Sequence, residues 1–460
     1  MRGIASFIVV TGHLCTAFAP ILQAPALAAD KGPMLFQLPF FRMCVGGRAA
    51  VALFFLVTGF VNSMGAMRHF ANGNHATALP NLARSAFTRS ARLILPTNAA
   101  AFTAWLVCQL GGFNLALAAD SDWIRSVAKV PSPTAWHAIT ALFQNMTLFW
   151  HNGSGTYDPT HWAIVFFLRG SMRIYLTLLA TSLVKTKWRI VIIVLLYLFS
   201  WWTGDYIVGI NIYYGMFIAQ LHTIFGPRAT NLLPRPIPAL VILIGLFVCC
   251  YPQHNPEWML WSRVMQHTMA AVIPQPTADS INRYWVSIGA CILVFGIFTS
   301  RNARKILSLP LFNFLGRVSF AVYLLHDTLL RSLLTWMIYG ANARKVDLSL
   351  LNGTGEPVNL VPAARPAVFA VAVPVFYVVL YAVAYLWTRY VDAWCANAVN
   401  WARDVTFKKD EDVMVNGRAT SGGGGGGGSV SVTEKAFKDY QPLKNGEGPL
   451  LPITNNHVSA

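Results

Sequence analysis

Apolar segments recur along the whole chain and are separated by short polar connectors. Ten of these segments are close to the length of about 20 residues that a membrane-spanning helix needs. They cover residues 3–20, 44–66, 93–112, 162–183, 189–204, 206–225, 236–252, 284–300, 316–339 and 366–389. The pattern predicts an all-α, polytopic membrane protein with about ten transmembrane helices, one for each segment.

The connectors alternate in charge, which predicts an orientation. The basic ones are residues 67–92, 185–189, 226–236, 299–305 and 403–409. Because basic loops face the cytosol, both termini are predicted to be cytosolic. The three N-x-S/T sequons, at Asn145, Asn152 and Asn352, all fall in connectors placed outside. We therefore expect glycosylation at these asparagines, in the endoplasmic reticulum or another endomembrane of a eukaryote.

Composition supports the membrane assignment and argues against nucleic acid as a partner. The chain has 460 residues, of which 55% are hydrophobic and 12% charged, with a net charge of +17. A soluble domain carries about twice this charged fraction. The first 400 residues hold 28 basic and 11 acidic side chains, and the basic ones cluster between apolar segments. That distribution suits cytosolic loops beside anionic lipid.

The end of the chain has a different composition. Residues 401–460 hold seven basic and seven acidic side chains and a run of seven glycines, Gly422 to Gly428. This segment is predicted to be a disordered cytosolic tail behind a membrane domain of residues 1–400. The seven cysteines lie within or beside apolar runs and form no C-x-x-C pair. They are interpreted as small buried hydrophobic residues, without a metal site or a disulfide framework.

The first segment, MRGIASFIVVTGHLCTAF, carries two polar residues that matter for function. Arg2 and His13 are separated by eleven residues, which is about 1100° of an α-helix and only ~20° past three turns. They therefore share one face, about 16 Å apart along the axis. A cation and an imidazole are costly inside a bilayer, so this face indicates a polar path into the protein.

The same segment also admits a second interpretation as a secretory signal peptide. Residues 24–30, Ala-Pro-Ala-Leu-Ala-Ala-Asp, resemble a small-residue cleavage site, and cleavage would remove both Arg2 and His13. Only one arginine precedes the apolar run, and Thr11-Gly12-His13 interrupts it. These features favour a retained helix.

Other ionisable residues within or beside the apolar segments are candidates for function by default. They are Arg48, Asp158, His161, Arg169, Arg173, Asp205, Arg317, His326 and Asp327. His13 is interpreted as a general base, with a packed, hydrogen-bonded histidine as the alternative. Arg317 and His326 are two and a half turns apart, and so on opposite faces. Asp327 is expected to be solvated at an outer helix end.

Two groups of arginines suggest anion binding, each with a simpler alternative. Arg169 is expected either to meet a ligand anion or to contact a backbone carbonyl near a broken helix. Arg84, Arg89 and Arg92 precede the third segment and are spaced so that they can hold phosphates. Basic residues at this place also simply follow the positive-inside rule.

Taken together, the motifs resemble the acyltransferase 3 family of multi-pass membrane acyltransferases, in its fungal form. Arg2 and His13 match an arginine–ten residues–histidine signature, and Phe54 to Phe60 match an FF-x-x-S-G-F helix. The remaining matches are Arg92-Leu-Ile-Leu-Pro, Trp162-Ala-Ile with Arg169-Gly-Ser, and Phe314-Leu-Gly-Arg-Val-Ser with Tyr323-Leu-Leu-His326. These pieces follow the family's order over residues 2–390.

The resemblance implies transfer of an acyl group, expected to be acetyl, from acyl-CoA to a hydroxyl group. His13 would activate the acceptor, and Arg2 would engage the donor. Donor contacts are expected from Arg92, Arg169 and Arg317, and acceptor contacts or support from Ser171, Tyr323 and His326. Acyl-CoA is then a co-substrate, with no tightly bound cofactor. Sugars, lipids and small secondary metabolites are all possible acceptors.

Two departures from the family pattern leave alternatives open. Phe167 stands where the family carries a glutamate, and Val165 replaces a proline. Asp158 or Asp205 is a possible substitute for that glutamate. Met1 precedes Arg2 directly, where family members have a short L-D-G-L lead, so the gene start is misplaced or a segment is missing. The alternatives are a catalytically silent paralogue and a proton-coupled transporter, although the internal symmetry that transporters often have is not seen.

Overall fold

The structure is a computed structural model that describes residues 1–155, 157–234, 236–344 and 360–407. Within these ranges every regular element is a helix, and the β pairing is limited to isolated bridges. The first nine α-helices are α1 Arg2–Phe18, α2 Gly47–Ala71, α3 His75–Gln109, α4 Asn114–Leu117, α5 Asp122–Val127, α6 Ala135–Asn152, α7 Trp162–Ala180, α8 Thr186–Trp202 and α9 Gly209–Phe225. The others are α10 Pro236–Cys249, α11 Leu260–Ala270, α12 Ala278–Thr299, α13 Arg301–Leu307, α14 Pro310–Leu329, α15 Thr335–Ala343, α16 Pro366–Trp387 and α17 Ala393–Thr406.

Short 3₁₀ and π segments connect or extend these helices. The 3₁₀ segments are Pro20–Gln23, Leu35–Gln37, Phe41–Val45, Pro159–His161, Gly226–Asn231 and Pro256–Trp258. Two π segments, Leu330–Leu334 and Thr388–Asp392, continue α14 into α15 and α16 into α17. The α17 helix runs past the predicted domain boundary at residue 400. The glycine run and Asn352 lie outside the described residues.

Each of the ten predicted apolar segments falls in a helical region. Fewer than ten of the described helices, however, are long and apolar enough to span a membrane. Five described stretches qualify, and up to seven if each of two bent helix pairs is one span. Several apolar helices are short: α1, α8 and α9 have 17 residues and α10 has 14. The all-helical membrane fold is therefore confirmed, while ten spans with both termini in the cytosol stay a prediction.

The α1 helix is fixed between two longer helices by close backbone contacts. A Cβ atom on Gly3 would lie 2.7 Å from the amide nitrogen of Gly316 in α14. On the same helix, a Cβ on Gly12 would lie 3.1 Å from the Cα of Gly47 at the start of α2. Small residues allow helices to approach this closely. As a result, Arg2 and His13, each next to one of these glycines, have fixed positions relative to α14 and α2.

The α2 and α9 helices cross at a second pair of glycines, which explains the glycine of the Phe54–Phe60 motif. A Cβ on Gly59 would lie 2.9 Å from the Cα of Ile212, and one on Gly215 would lie 2.8 Å from the nitrogen of Phe60. Backbone atoms cannot move aside as a flexible side chain can. Gly59 is therefore a packing residue, and it holds α2 against α9.

The connector before α7 is folded back into the protein, which the apolar pattern did not predict. The indole of Trp105 in α3 donates to the carbonyl of Ala138 at 2.9 Å, and that of Trp150 in α6 donates to Asn98 at 2.8 Å. Thus α6 returns along α3 before the chain enters α7. The linking residues 153–161 then pack against α14, where the Tyr323 hydroxyl donates to the carbonyl of Thr160 at 2.5 Å.

Residues 19–46 form a cap beyond the end of α1 that is held together by two buried side chains. The amide of Gln37 donates to the carbonyls of Ile21, Ala24 and Ala26. The guanidinium of Arg42 donates to the carbonyls of Leu22, Gln23 and Ala24. Burial lowers the pKa of Arg42 to about 10, and these carbonyls stabilise its charge. The cap is thus an ordered part of the structure.

Candidate active site

His13 lies on the wall of a cavity of about 190 Å³. The cavity is lined by Val9, Gly12, His13, Thr16, Gly47, Arg48, Val51, Trp162, Gln253, Arg283 and Tyr323. Within the described residues, Nδ1 of His13 is buried without a hydrogen-bond partner. The alternative prediction was a packed histidine hydrogen-bonded to a neighbouring helix, and Nδ1 of His13 makes no such bond in the described chain. An imidazole that faces a cavity can exchange a proton with a bound molecule.

His326 is the nearest imidazole to His13, with ring centroids 5.2 Å apart. Its Nδ1 lies 2.8 Å from the carbonyl of Tyr323, one helical turn earlier. A carbonyl only accepts, so Nδ1 carries the proton and Nε2 is left as an acceptor. This Nε2 is buried and has no hydrogen-bond partner in the described chain. His326 is buried and Arg317 is exposed, so the predicted opposite faces are confirmed.

A buried carboxylate supports the two imidazoles from behind. Asp158, in the segment before α7, accepts from the hydroxyls of Thr160 at 2.6 Å and Thr328 at 3.0 Å. Nε2 of His161 lies 3.4 Å from the same carboxylate and 2.9 Å from the carbonyl of Leu324. The negative charge of Asp158 acts on both His13 and His326. Asp158 is therefore the acidic residue whose charge most affects the candidate base.

Asp327 is fully buried, so the expectation that it is solvated at a helix end is wrong. It pairs with Arg331 at 2.8 Å, and both side chains are 0% exposed. Arg331 also donates to the carbonyls of Val127 at 2.9 Å and Tyr157 at 2.6 Å. Its guanidinium lies over the ring of Phe113. The pair locks the segment before α7 to α14, because Tyr157 directly precedes Asp158.

Arginines line the same cavity as His13. Arg48 contacts Asp279 at 2.9 Å and Asn282 at 3.2 Å. Arg283 donates from Nε to the other oxygen of Asp279 at 2.8 Å and lies 5.9 Å from the ring centroid of Trp162. Arg48 was a predicted candidate, whereas Arg283 was missed because it lies just before the predicted span 284–300. The D-x-x-x-R spacing of Asp279 and Arg283, about one helical turn, is the sequence signal that could have identified Arg283 as a paired arginine.

A second group of arginines lies at the opposite end of α1. The charges of Arg2 and Arg92 act on Arg89, whose Nε is buried without a hydrogen-bond partner among the described residues. Gly3 packs on Leu315 and Gly316, so Arg2 lies beside the backbone that carries Arg317. The structure thus places Arg2 and Arg92 near Arg89, all three of which the sequence singled out, and sets Arg2 beside the backbone next to Arg317.

Arg169 and Ser171 are not part of either group. Arg169 donates to the carbonyl of His151 at 2.5 Å, which is the predicted backbone-carbonyl contact. It lines a separate cavity with Arg173 and Asp205, which are paired with each other. Ser171 is buried and bonded to Asn62 at 3.2 Å. Asp205 is thereby engaged away from His13, which leaves Asp158 as the possible substitute for the missing glutamate.

Phe167 fills the position of that glutamate with an aromatic stack. Its ring centroid lies 4.1 Å from that of Phe55 and 6.4 Å from that of Phe54. Phe54 in turn lies edge-on to Tyr323, with ring centroids 6.3 Å apart. An unpaired carboxylate would be costly in this apolar setting, so a phenyl ring suits it. Any polar support for His13 must come from another element.

The remaining predicted features are placed as follows. Asn145 is buried within α6, while Asn152 at its end is exposed, so only Asn152 of these two is accessible in the folded chain. Glycosylation there stays a prediction. All seven cysteine thiols are free, five of them are buried, and Cys44 is exposed. In the ranges described, His, Cys, Asp and Glu side chains form no group of three that could hold a metal ion.

Comparisons with known proteins identify similar chains over most of the sequence. A family model described as an acyltransferase domain matches residues 1–392. Acyltransferase R4 of a Phoma species is 24% identical over 389 residues, covering 72% of this chain and 82% of the relative. Acyltransferase clz18 of Cochliobolus lunatus is 24% identical over 391 residues, with the same coverage.

An O-acetyltransferase, PaAT-1 of Phomopsis amygdali, is also similar. It is 22% identical over 440 residues, which cover 89% of this chain and 85% of the relative. No solved structure gives a significant match.

Proposed function

Because the chain belongs to this acyltransferase family, acyltransferase 3, we propose that it is a membrane O-acyltransferase. It transfers an acyl group, acetyl in the first instance, from acyl-CoA to a hydroxyl of a small molecule. The observation that carries the proposal is the placement of His13: its imidazole lies on a cavity wall, with Nδ1 buried and unbonded in the described chain. The name of the Phomopsis relative supports transfer to oxygen.

His13 acts as the general base for the acceptor. Nε2 takes the hydroxyl proton while the oxygen attacks the thioester carbonyl. The tetrahedral intermediate collapses with cleavage of the C–S bond. The CoA thiolate leaves and takes the proton back from the imidazolium. One ester is formed and one thioester is broken, so the balance needs no other reactant.

His326 orients His13 for this step. In the described chain, Nδ1 of His13 and Nε2 of His326 each lack a hydrogen-bond partner, and the two ring centroids are 5.2 Å apart. A small rotation of either ring when the acceptor binds would let the Nδ1–H of His13 donate to Nε2 of His326, and this hydrogen bond would hold the tautomer in which Nε2 of His13 carries the lone pair. Asp158 stabilises the positive charge that the imidazole gains. His326 is thus a positioning residue, which acts on the acceptor only through His13.

We predict that His326→Gln retains most activity and that His326→Leu does not. The Gln side-chain oxygen lies near the position of Nε2 and can accept the same proton, whereas Leu cannot. Leu should lower kcat by about 10² and change the KM values by less than about twofold, because only the transition state loses the contact. Equal kcat values for the Gln and Leu variants, measured in membranes at matched expression, would show that His326 has no such role.

The second arginine group binds the donor. CoA is cytosolic and carries several phosphates, which suit guanidinium groups. Arg2, Arg89 and Arg92 lie near one another, and Nε of Arg89 is buried and unbonded in the described chain. Arg317 follows Gly316, on which Gly3 packs, so it would extend this group from α14. The thioester then extends along α1 toward His13, about 16 Å away. This places the donor at one end of α1 and the acceptor cavity at the other.

We predict that Arg92→Gln raises the KM for acetyl-CoA by about tenfold, since one charge-assisted hydrogen bond is lost. The KM for acetyl-pantetheine, which has no phosphate, should not change. Arg228→Gln is the control, because Arg228 is exposed on a different connector. If the variant affects both thioesters equally, Arg92 does not bind the phosphates.

The proposed activity is tested by release of CoA. Membranes from cells expressing the chain are mixed with acetyl-CoA and a small-molecule extract of a fungus, and free thiol is measured. Thiol release that requires both the extract and His13 supports an acyltransferase. The assay is repeated with several fungal extracts and with acyl-CoA of several chain lengths. If thiol release never exceeds that from control membranes, the silent or transporter alternatives are favoured.

A further inference from the structure

The cavity beside His13 contains an excess of positive charge. Its lining includes two arginines, Arg48 and Arg283, and no acidic side chain. One carboxylate, Asp279 at the margin, contacts both guanidinium groups through different oxygens. Among these three groups, two cations face one anion, so Asp279 compensates only one of the two guanidinium charges on this part of the cavity wall. A partly buried charge of this kind is stabilised by an anionic ligand.

Both guanidinium groups are only partly used by the protein. Arg283 bonds to Asp279 through Nε, and its two terminal nitrogens have no bonded acceptor in the part of the chain that the structure describes. The side chains of Arg48 and Arg283 are 28% and 20% exposed, so both are accessible from the cavity. Burial, followed by the charges of Arg48 and Arg42, lowers the pKa of nearby His254, which agrees with a positive potential there.

The arginines and the base are held at a fixed spacing. Arg48 follows Gly47, His13 follows Gly12, and these glycines are in contact where α1 meets α2. Arg283 faces the same cavity from α12, beside the Trp162 ring. A molecule in this cavity therefore meets an imidazole on one side and guanidinium groups on another.

We propose that the acceptor is a hydroxy acid: its carboxylate binds Arg283 and Arg48 while its hydroxyl lies at His13. This inference rests on the proposed function and names the class of its acceptor. A planar guanidinium matches a carboxylate. The single uncompensated charge suits a monoanion better than a phosphate dianion. A cavity of about 190 Å³ is below the ~300 Å³ of drug-sized pockets, so it holds the acid and hydroxyl end of the acceptor.

The test begins with the charge of the product. Cells expressing the wild-type chain or His13→Ala are fed deuterated acetate, and the labelled ester made only by the wild type is passed over an anion-exchange resin at neutral pH. We expect the resin to retain the ester, and to release it once the carboxylate of the ester has been methylated. A neutral or cationic ester would overturn the hydroxy-acid acceptor while leaving the acyltransferase intact. If no ester forms, the proposed function itself fails, and with it this inference.

Variants then test the arginines against a purely structural role. For the purified acceptor, Arg283→Gln should raise the KM at least tenfold with kcat almost unchanged, and the methyl ester of the acceptor should show the same rise with the wild type. Asp279→Asn should lower this KM, because it removes the carboxylate that compensates the charge of the two guanidinium groups. If the ion pair serves only stability, both Arg283→Gln and Asp279→Asn should lower the amount of folded, active protein. Arg263→Gln is the control, since Arg263 is exposed and bonds to the Glu257 carbonyl. Equal KM values for Arg283→Gln and wild type would contradict the proposal.

Discussion

His13→Ala is expected to lower the rate of acyl transfer by about 10² to 10⁴, the usual contribution of a general base. Without the imidazole, the acceptor hydroxyl must attack while it still carries its proton. The KM for acyl-CoA should stay within about twofold, because the donor phosphates are bound at the other end of α1. The measurement is the initial rate of ester formation in membranes, normalised to the amount of protein.

His267→Ala is the matched control for this variant. His267 is exposed on α11 and lines none of the described cavities that contain His13 or Arg169. It should keep the wild-type rate. A loss in both variants would indicate a general effect on folding, and an unchanged rate in His13→Ala would remove the base from the mechanism.

Arg331→Met is expected to destabilise the protein by about 3–5 kcal/mol, the cost of leaving one member of a buried ion pair unpaired. Asp327 is 0% exposed, and the carbonyls of Val127 and Tyr157 would also lose their donor. The measurement is the midpoint temperature at which the detergent-solubilised protein loses its monodisperse peak on heating.

A double variant separates the ion pair from the two carbonyl bonds. Asp327→Leu with Arg331→Met removes both charges, so part of the lost stability should return. Only part returns, because the carbonyls of Val127 and Tyr157 stay without a donor. Arg344→Met is the control, since Arg344 is exposed close to the end of α15. A wild-type midpoint in Arg331→Met would show that the pair does not hold the segment before α7.

The sequence was most informative where local spacing decides the outcome. The eleven-residue separation of Arg2 and His13 follows from helix geometry alone, and α1 is a helix over both residues. The same reasoning placed Arg317 and His326 on opposite faces of α14. The family was recognisable because several motifs occurred in the right order.

Contacts between distant segments could not be predicted from the chain. Asp158 and His326 are 168 positions apart, and nothing in the spacing shows that the segment before α7 packs on α14. Arg331 lies in an apolar run, but its pairing with Asp327 could not be predicted, because Asp327 was expected to be solvated and not to face a buried partner. The π turn at Leu330–Leu334 carries the chain on into α15.

The number of membrane spans also could not be predicted from the pattern of apolar segments. Two short helices joined at a sharp bend, such as α9 and α10, can form one span or two, and hydropathy alone does not separate these cases. Residues 113–161 were treated as one outer connector, although α6 within it packs back along α3.

The central claim is that this chain forms an ester by a reaction that needs His13. Its most direct test compares untargeted metabolite and lipid profiles of cells expressing the wild-type chain, His13→Ala, or neither, at matched membrane expression. We predict material carrying an added acyl group in the wild-type profile alone, and its mass identifies both acyl group and acceptor. Identical profiles for the wild type and His13→Ala would contradict the account and favour a silent family member or a transporter.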